Sequence, residues 1–249
     1  MKLRKSSRTA ATSGTAIAGA GHAGSITQTR LQLRKGQQLQ LEWLGGDEVL
    51  LVERGCLVLQ APRQDGGHRV VAVLFPGDLI SRDATPPMPG IGVTATRTAA
   101  IARIAGRSIG AISDAVASAD HGRSFARFAA RTTLHAIVLA ELTAEQRLAT
   151  FLLELALRLG SETPAGCTFE LPLSRTDMAH YLALNPDTMS RLVSRLKSRG
   201  LIATPSRGWA TIASVDALAA LSPLATVLRQ LCVAAVDGHL RNGVAGAGA

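Results

Sequence analysis

The spacing of apolar residues changes along the chain, and each spacing predicts a different element. From Leu31 to about Ala105 apolar residues come in strand-length runs separated by turns. The runs are LQLRKG, QLQLEWL, EVLLVERG, CLVLQA and HRVVAVLFPGD, with GGD and QDGG between them, and GVTATRTAAIARIA closes the set. Short apolar runs at this spacing predict an antiparallel sandwich or small barrel. From about Ala119 to Leu142 the period turns helical. Phe125, Phe128, Leu134, Ile137 and Val138 form a stripe too wide for a lone surface helix. Thr143, with Gln146 three residues later, then reads as a capping box that opens the helix QRLATFLLELALRL. The break at Leu142–Thr143 is the natural hinge.

Leu173 to Leu201 predicts two short helices and a turn. Ser174 caps the first, which runs to Tyr181 or Leu182. Asn185 caps the second, with Pro186 at the first helical position, where the missing N–H costs nothing. That helix runs to about Arg199 and Gly200 ends it. Met189, Leu192, Val193 and Leu196 make its buried stripe, and Asp187, Ser190, Arg191 and Ser194 repeat the same spacing on another face. A helix-turn-helix needs such a second helix, with one side anchored and the other offered to base edges in the major groove. By chemistry Arg191 suits guanine, Asp187 a cytosine amine, and Ser190 either a base or a phosphate. Arg175, Thr176, Ser194, Lys197 and Arg207 are candidates for phosphate, as are Arg195 and Arg199. LIATPSRGWATIA predicts a strand pair with Arg207 at its tip.

Charge sharpens this picture. The formal net charge is +9, and residues 1–35 carry seven Lys or Arg and no acid, so most of the excess sits in the first 35 residues, across the N-terminal tail and the start of the roll. A basic tail alone says little. Six Lys or Arg against two Asp between Leu171 and Ala210 point more directly to nucleic acid. No apolar run is long enough to span a membrane, and Cys56, Cys167 and Cys232 are too scattered for a disulfide framework. Both features suit a cytoplasmic protein without membrane attachment.

The run LPLSRTDMAHYLALNPDTMSRLVSRLKSRGLI, with the basic hairpin and TIASVDALAAL after it, closely resembles the DNA-binding region of the CRP/FNR family of bacterial transcription regulators. The shared pattern is a Leu-Pro lead-in, Arg175 opening the first helix, a small residue in the turn, and Asp187-x-x-Ser190-Arg191. Two positions depart from it. Ala183 stands where the turn usually has Gly, which matters if the turn needs positive φ. Asp187 stands where the FNR-like branch often has Glu, and its shorter reach changes the preferred half-site. The resemblance implies an α+β chain. It has an N-terminal antiparallel β-roll of the cyclic nucleotide-binding type (30–118), a dimerisation helix (119–142) and a winged helix-turn-helix (143–215). A disordered basic tail (1–29) and a helical extension (216–249) flank these. Gly36, Gly55 and Phe75–Leu79 fall where that roll places its turns. The resemblance also implies a homodimer on a palindrome, with Phe125, Phe128, Leu134, Ile137 and Val138 at the interface. The partner is double-stranded DNA, with RNA polymerase added if the protein activates.

The residues after Gly77 constrain the roll's ligand. A cyclic phosphate needs a Gly-Glu helix start and a following Arg, whereas this chain reads ISRDATPPMPGIGV. Cyclic nucleotide binding is therefore not expected. GDLISRDAT looks more like the FNR-type branch, but no cysteine precedes Cys56, which excludes that branch's iron–sulfur cluster. Haem on His68 or Cys56 is the weaker alternative to a hairpin histidine and a packed strand thiol. No metal site and no catalytic residues are expected. Gly106-Arg107-Ser108-Ile109-Gly110 matches a hydrolase elbow, but the chain lacks the surrounding strand–helix alternation, and Ser108 reads as a helix cap. The competing reading is a cytosolic ligand-binding protein whose C-terminal domain docks on another protein.

Overall fold

The structure, a computed structural model, describes residues 16–17, 27–46, 48–105 and 116–232. Most of the predicted tail, the Gly106–Gly110 motif with Ser108, and the residues after 232 lie outside the described residues.

The fold is α+β, with antiparallel sheets first, then a long helix and a helix-rich C-terminal unit. β1 (Ala16–Ile17), β2 (Thr27–Leu33), β4 (Glu48–Arg54), β7 (Leu79–Ser81) and β9 (Ala99–Ala105) form one sheet, in the order β1-β2-β9-β4-β7. β3 (Gln38–Gln40), β5 (Leu57–Pro62), β6 (His68–Leu74) and β8 (Gly92–Ala95) form the other, in the order β3-β8-β5-β6. Side chains alternate across each strand. Leu50, Val52, Leu57, Leu59, Val93 and Ile101 thus meet in one buried cluster.

Two apolar runs are cut differently from their sequence pattern. QLQLEWL stays extended only to Gln40. Leu41–Trp43 is a 3₁₀ turn that buries Leu41 completely and leaves Trp43 at the surface. GVTATRTAAIARIA is two strands in different sheets, and the chain crosses between them at Thr96–Thr98. Gly55 makes room for the crossing. Its φ is +89°, and a Cβ there would lie 2.6 Å from the Thr98 carbonyl oxygen.

α1 (Val116–Glu141) is the long helix, and α2 (Ala144–Leu159) follows after two residues. The capping box between them is formed: Thr143 Oγ1 accepts from Gln146 N at 3.4 Å, and Gln146 Oε1 accepts from Thr143 N at 3.0 Å. The C-terminal unit adds α3 (Arg175–Tyr181), α4 (Pro186–Ser198) and α5 (Val215–Ala219) to a small sheet. That sheet has the order β10-β11-β13-β12, from β10 (Ser161–Thr163), β11 (Gly166–Glu170), β12 (Ile202–Ala203) and β13 (Trp209–Ile212). β12 and β13 are the predicted strand pair, whereas the β10–β11 hairpin was not anticipated. The helix expected to start at Asp216 is interrupted. α5 stops at Ala219, Pro223 follows, and helix resumes over 225–232.

The roll and the C-terminal unit share one core. Val58 alternates with Leu57 and Leu59, so it faces away from the inter-sheet cluster. It joins Val70, Val73, Leu134, Phe151 and Tyr181 in a second buried cluster. Among the described residues no helix is long and apolar enough to cross a membrane.

Candidate nucleic-acid interface

The helix pair α3–α4 is set by local chemistry. Ser174 Oγ accepts from Asp177 N at 3.1 Å to start α3, and Asn185 Oδ1 accepts from Asp187 N at 2.8 Å to start α4. Between them Ala183 has φ +52°, the sole positive φ among described non-glycine residues. The turn is tied from outside: Arg147 Nη1 donates to the Leu182 and Ala183 carbonyls at 3.2 and 3.4 Å. The predicted stripe of Met189, Leu192, Val193 and Leu196 is buried. Asp187, Ser190, Arg191 and Ser194 are all exposed on α4. Among the described residues Arg191 has no ion-pair partner.

The cations divide into two groups. Arg199 and Arg195 pair with Glu145 at the start of α2, at 2.9 and 3.7 Å, so they brace α4. The others converge. A cleft of about 320 Å³ lies between the start of α3 and the β12–β13 hairpin, and Arg175, Thr204, Arg207 and Trp209 line it. Lys197 Nζ donates to Thr204 Oγ1 at 2.8 Å, which brings a third cation to its rim. Leu171 N donates to the Gly208 carbonyl at 2.7 Å, tying the hairpin tip to the chain that leads into α3. Thr176 is exposed in the first turn of α3. One polar helix face and one cationic cleft thus lie on the same helix-turn-helix.

The chain is similar in sequence and fold to known proteins. Residues 146–221 match the model of the Crp-like helix-turn-helix domain. Over 189 residues the chain is 29% identical to the nitrogen fixation regulation protein FixK of Rhizobium meliloti, covering 76% of this chain and 84% of that one. The regulatory protein HlyX of Actinobacillus pleuropneumoniae is 26% identical over 73% of this chain and 78% of its own. The structure of FixK2 from Bradyrhizobium japonicum superposes with a TM-score of 0.64 at 26% identity, covering 78% of this chain and 97% of that one. The chain belongs to the CRP/FNR family. It is a DNA-binding transcription regulator, and the family is one of regulators, not enzymes.

Two features of this CRP/FNR regulator were not anticipated. Trp209 is 43% exposed beside Arg207, in a chain with only two tryptophans. An aromatic residue inside a basic hairpin was the signal for it. The second feature is the orientation of α1. Phe128, Leu134 and Val138, expected at a subunit interface, are buried within their own chain, and Phe125 packs partly on the Val49–Leu79 cluster. Of the five expected residues only Ile137 is turned outward, at 43% exposure, with Ala126, Ala130, Thr133 and Ala140 exposed along the same side. Periodicity shows that a face is buried but does not identify what covers it.

The two cofactor candidates lie in different surroundings, one packed in the core and one at the surface. Cys56 is fully buried, and burial pushes its thiol up to about 12, with Arg97 and Arg131 acting in the opposite sense. A thiolate ligand needs the reverse shift. His68 is exposed at the start of β6.

Proposed function

We propose that this regulator acts as a homodimer on a two-fold symmetric DNA site. In this reading Asp187, Ser190 and Arg191 contact base edges. Arg175, Lys197 and Arg207 grip backbone phosphate in the cleft, with the Thr176 and Ser194 hydroxyls beside them. The carrying observation is α4, whose apolar stripe is buried while its hydrogen-bonding face is exposed. Trp209 offers a flat apolar surface for a deoxyribose next to the phosphate. The subunits pair along the outward face of α1, through Ile137 and the small residues around it.

The domain plan follows the same logic. The basic tail is 1–29, although β2 already begins at Thr27. The roll extends to about 118, the pairing helix covers 119–142, the winged helix-turn-helix 143–215 and the extension 216–249. The roll receives a signal that is not a cyclic nucleotide. Arg82, the cation nearest to the place of a phosphate ligand in the sequence, is exposed.

Selection of sites from a random duplex pool by the full-length protein tests this reading. Recovery of a palindrome with half-sites about 10 base pairs apart is the expected result. Recovery of single half-sites would sink the dimer. Binding that ignores sequence would sink the base-reading assignment of α4.

A further inference from the structure

Arg131 lies midway along α1 and is 9% exposed, yet its guanidinium reaches two other parts of the fold. Nη1 pairs with Asp78 Oδ2 in the turn between β6 and β7. Nη2 donates to the Val73 carbonyl on β6 at 2.6 Å. Nε donates to Glu154 Oε1 on α2 at 3.0 Å. Arg158, one turn further along α2, donates to the same Glu154 oxygen at 3.3 Å. Phe75 lies against both guanidinium groups, 4.7 Å from Arg131 and 5.1 Å from Arg158. Asp78 also accepts from Phe75 N at 2.7 Å, which holds its carboxylate in place. Two cations and two carboxylates balance. Burial opposes the charge on Arg131, and Asp78 and Glu154 outweigh it, so the guanidinium is held above its ordinary value.

Such a network is a poor way to gain stability, because desolvating the four charges cancels most of their attraction. Its distinctive property is geometry: a planar fork meets three acceptors from fixed directions. The acceptors belong to the roll and to the helix that leads into the DNA-binding unit, and only Leu142 and Thr143 separate α1 from that helix. The space beside the network is almost filled. A cavity of about 30 Å³ remains among Val73, Arg131, Glu154, Phe151, Tyr181 and Leu228, which is room for about one water. Leu228 is 2% exposed and comes from beyond the matched helix-turn-helix domain, so the chain's own extension closes the junction.

We propose that Arg131 is the positioning residue that fixes the DNA-binding unit against the roll, and that it does so from within the chain, with no small molecule needed at this junction. The inference rests on DNA binding, which the family establishes, and not on the dimer.

The test uses the full-length protein after exhaustive dialysis. Arg131→Met alone strands Asp78 in the core and invites unfolding. The decisive variant is therefore Arg131→Met with Asp78→Asn, which keeps the Glu154–Arg158 pair. Spin labels at Trp43→Cys on the roll and Ser198→Cys on α4 report the distance between the two units, in labelled protein diluted with unlabelled chain. The expected result is a single narrow distance with Arg131 present and a broad or shifted one in the double variant. Affinity for the selected site should fall about tenfold or more, while affinity for random duplex holds. An unchanged distance in the folded variant overturns the proposal. So does a changed distance with unchanged specific affinity, which would leave Arg131 a purely structural role. A narrow distance that appears in the parent protein only after a low-mass cell fraction is restored also overturns it.

Discussion

The imidazole of His135 lies flat on the phenol ring of Tyr181, with centroids 4.0 Å apart and planes 9° from parallel. His135 is on α1 and Tyr181 ends α3, so the stack joins the long helix to the DNA-binding unit. Phe151 of α2 closes the group at 5.3 Å from Tyr181.

That contact predicts a pH dependence. Burial holds His135 below its ordinary 6.5, and Arg131 acts in the same sense; Glu154 and a hydrogen bond with the Tyr181 backbone act to raise it. The unfolded chain takes up a proton near 6.5, while the folded chain resists it until lower pH. Between those two values the unfolded state binds more protons, so stability falls as pH drops below 6.5. His135→Phe preserves a stacked ring without a titrating group. The difference in thermal midpoint between parent and variant should widen in the variant's favour as pH is lowered from about 7.5 to about 5.5. Parallel curves would show that His135 does not titrate in the junction.

Ala183 predicts a gain. An alanine at φ +52° carries a left-handed penalty of roughly 1–2 kcal/mol. Glycine relieves it but loses more chain entropy on folding, so Ala183→Gly should stabilise by about 0.5–1 kcal/mol. The side chain is exposed, and the Arg147 bonds go to backbone carbonyls, so no contact is lost. Ala183→Val should act in the opposite direction, because a β-branched residue tolerates this φ less well. Urea midpoints of the two variants check both signs.

The helix-turn-helix was legible in the sequence because its determinants are local. Ser174, Asn185, Pro186 and the Met189–Leu196 stripe each act within a few residues. The junction was not legible for the opposite reason. Arg131 meets Asp78 across 53 positions and Glu154 across 23, and no local rule links them. The one visible hint was a charge set inside an apolar stripe, between Phe128 and Leu134, with Glu154 similarly placed in FLLELAL. The β10–β11 hairpin was missed because Ser161–Thr163 is short, has all three residues at the surface and carries no apolar alternation. The strand runs of the roll were visible, but their division between two sheets depends on the crossing that Gly55 permits.

Two arginines should separate specificity from affinity. Arg191→Ala should flatten the preference at one base pair by about 1–3 kcal/mol and leave the salt dependence of binding nearly unchanged. Arg207→Ala should weaken all duplexes alike and reduce the slope of log affinity against log salt by about 0.9. Titrations with the selected site, its single-base variants and random duplex at several salt concentrations distinguish the two behaviours. A uniform loss for Arg191→Ala would make it a phosphate contact.

The C-terminal extension gives the last prediction. Leu228 and Cys232 lie four residues apart, on one side of the 225–232 helix, and both are buried, at 2% and 6% exposure. Thr150 on α2 and Ser222 share a buried hydrogen bond of 2.7 Å, which fixes where that helix starts. If the helix belongs to the same cooperative core as α2, Leu228→Ala should cost about 2–5 kcal/mol in a single unfolding transition. If it is an appendage, the cost appears as local opening, and global stability barely moves. Cys232 distinguishes the two outcomes, because its thiol is protected only while the helix is docked. Under native conditions Leu228→Ala should then speed alkylation of Cys232 relative to Cys56 and Cys167, which are enclosed by other elements. Equal acceleration at all three would indicate global unfolding, and Cys232 alone would mark the extension as the first part to leave the junction.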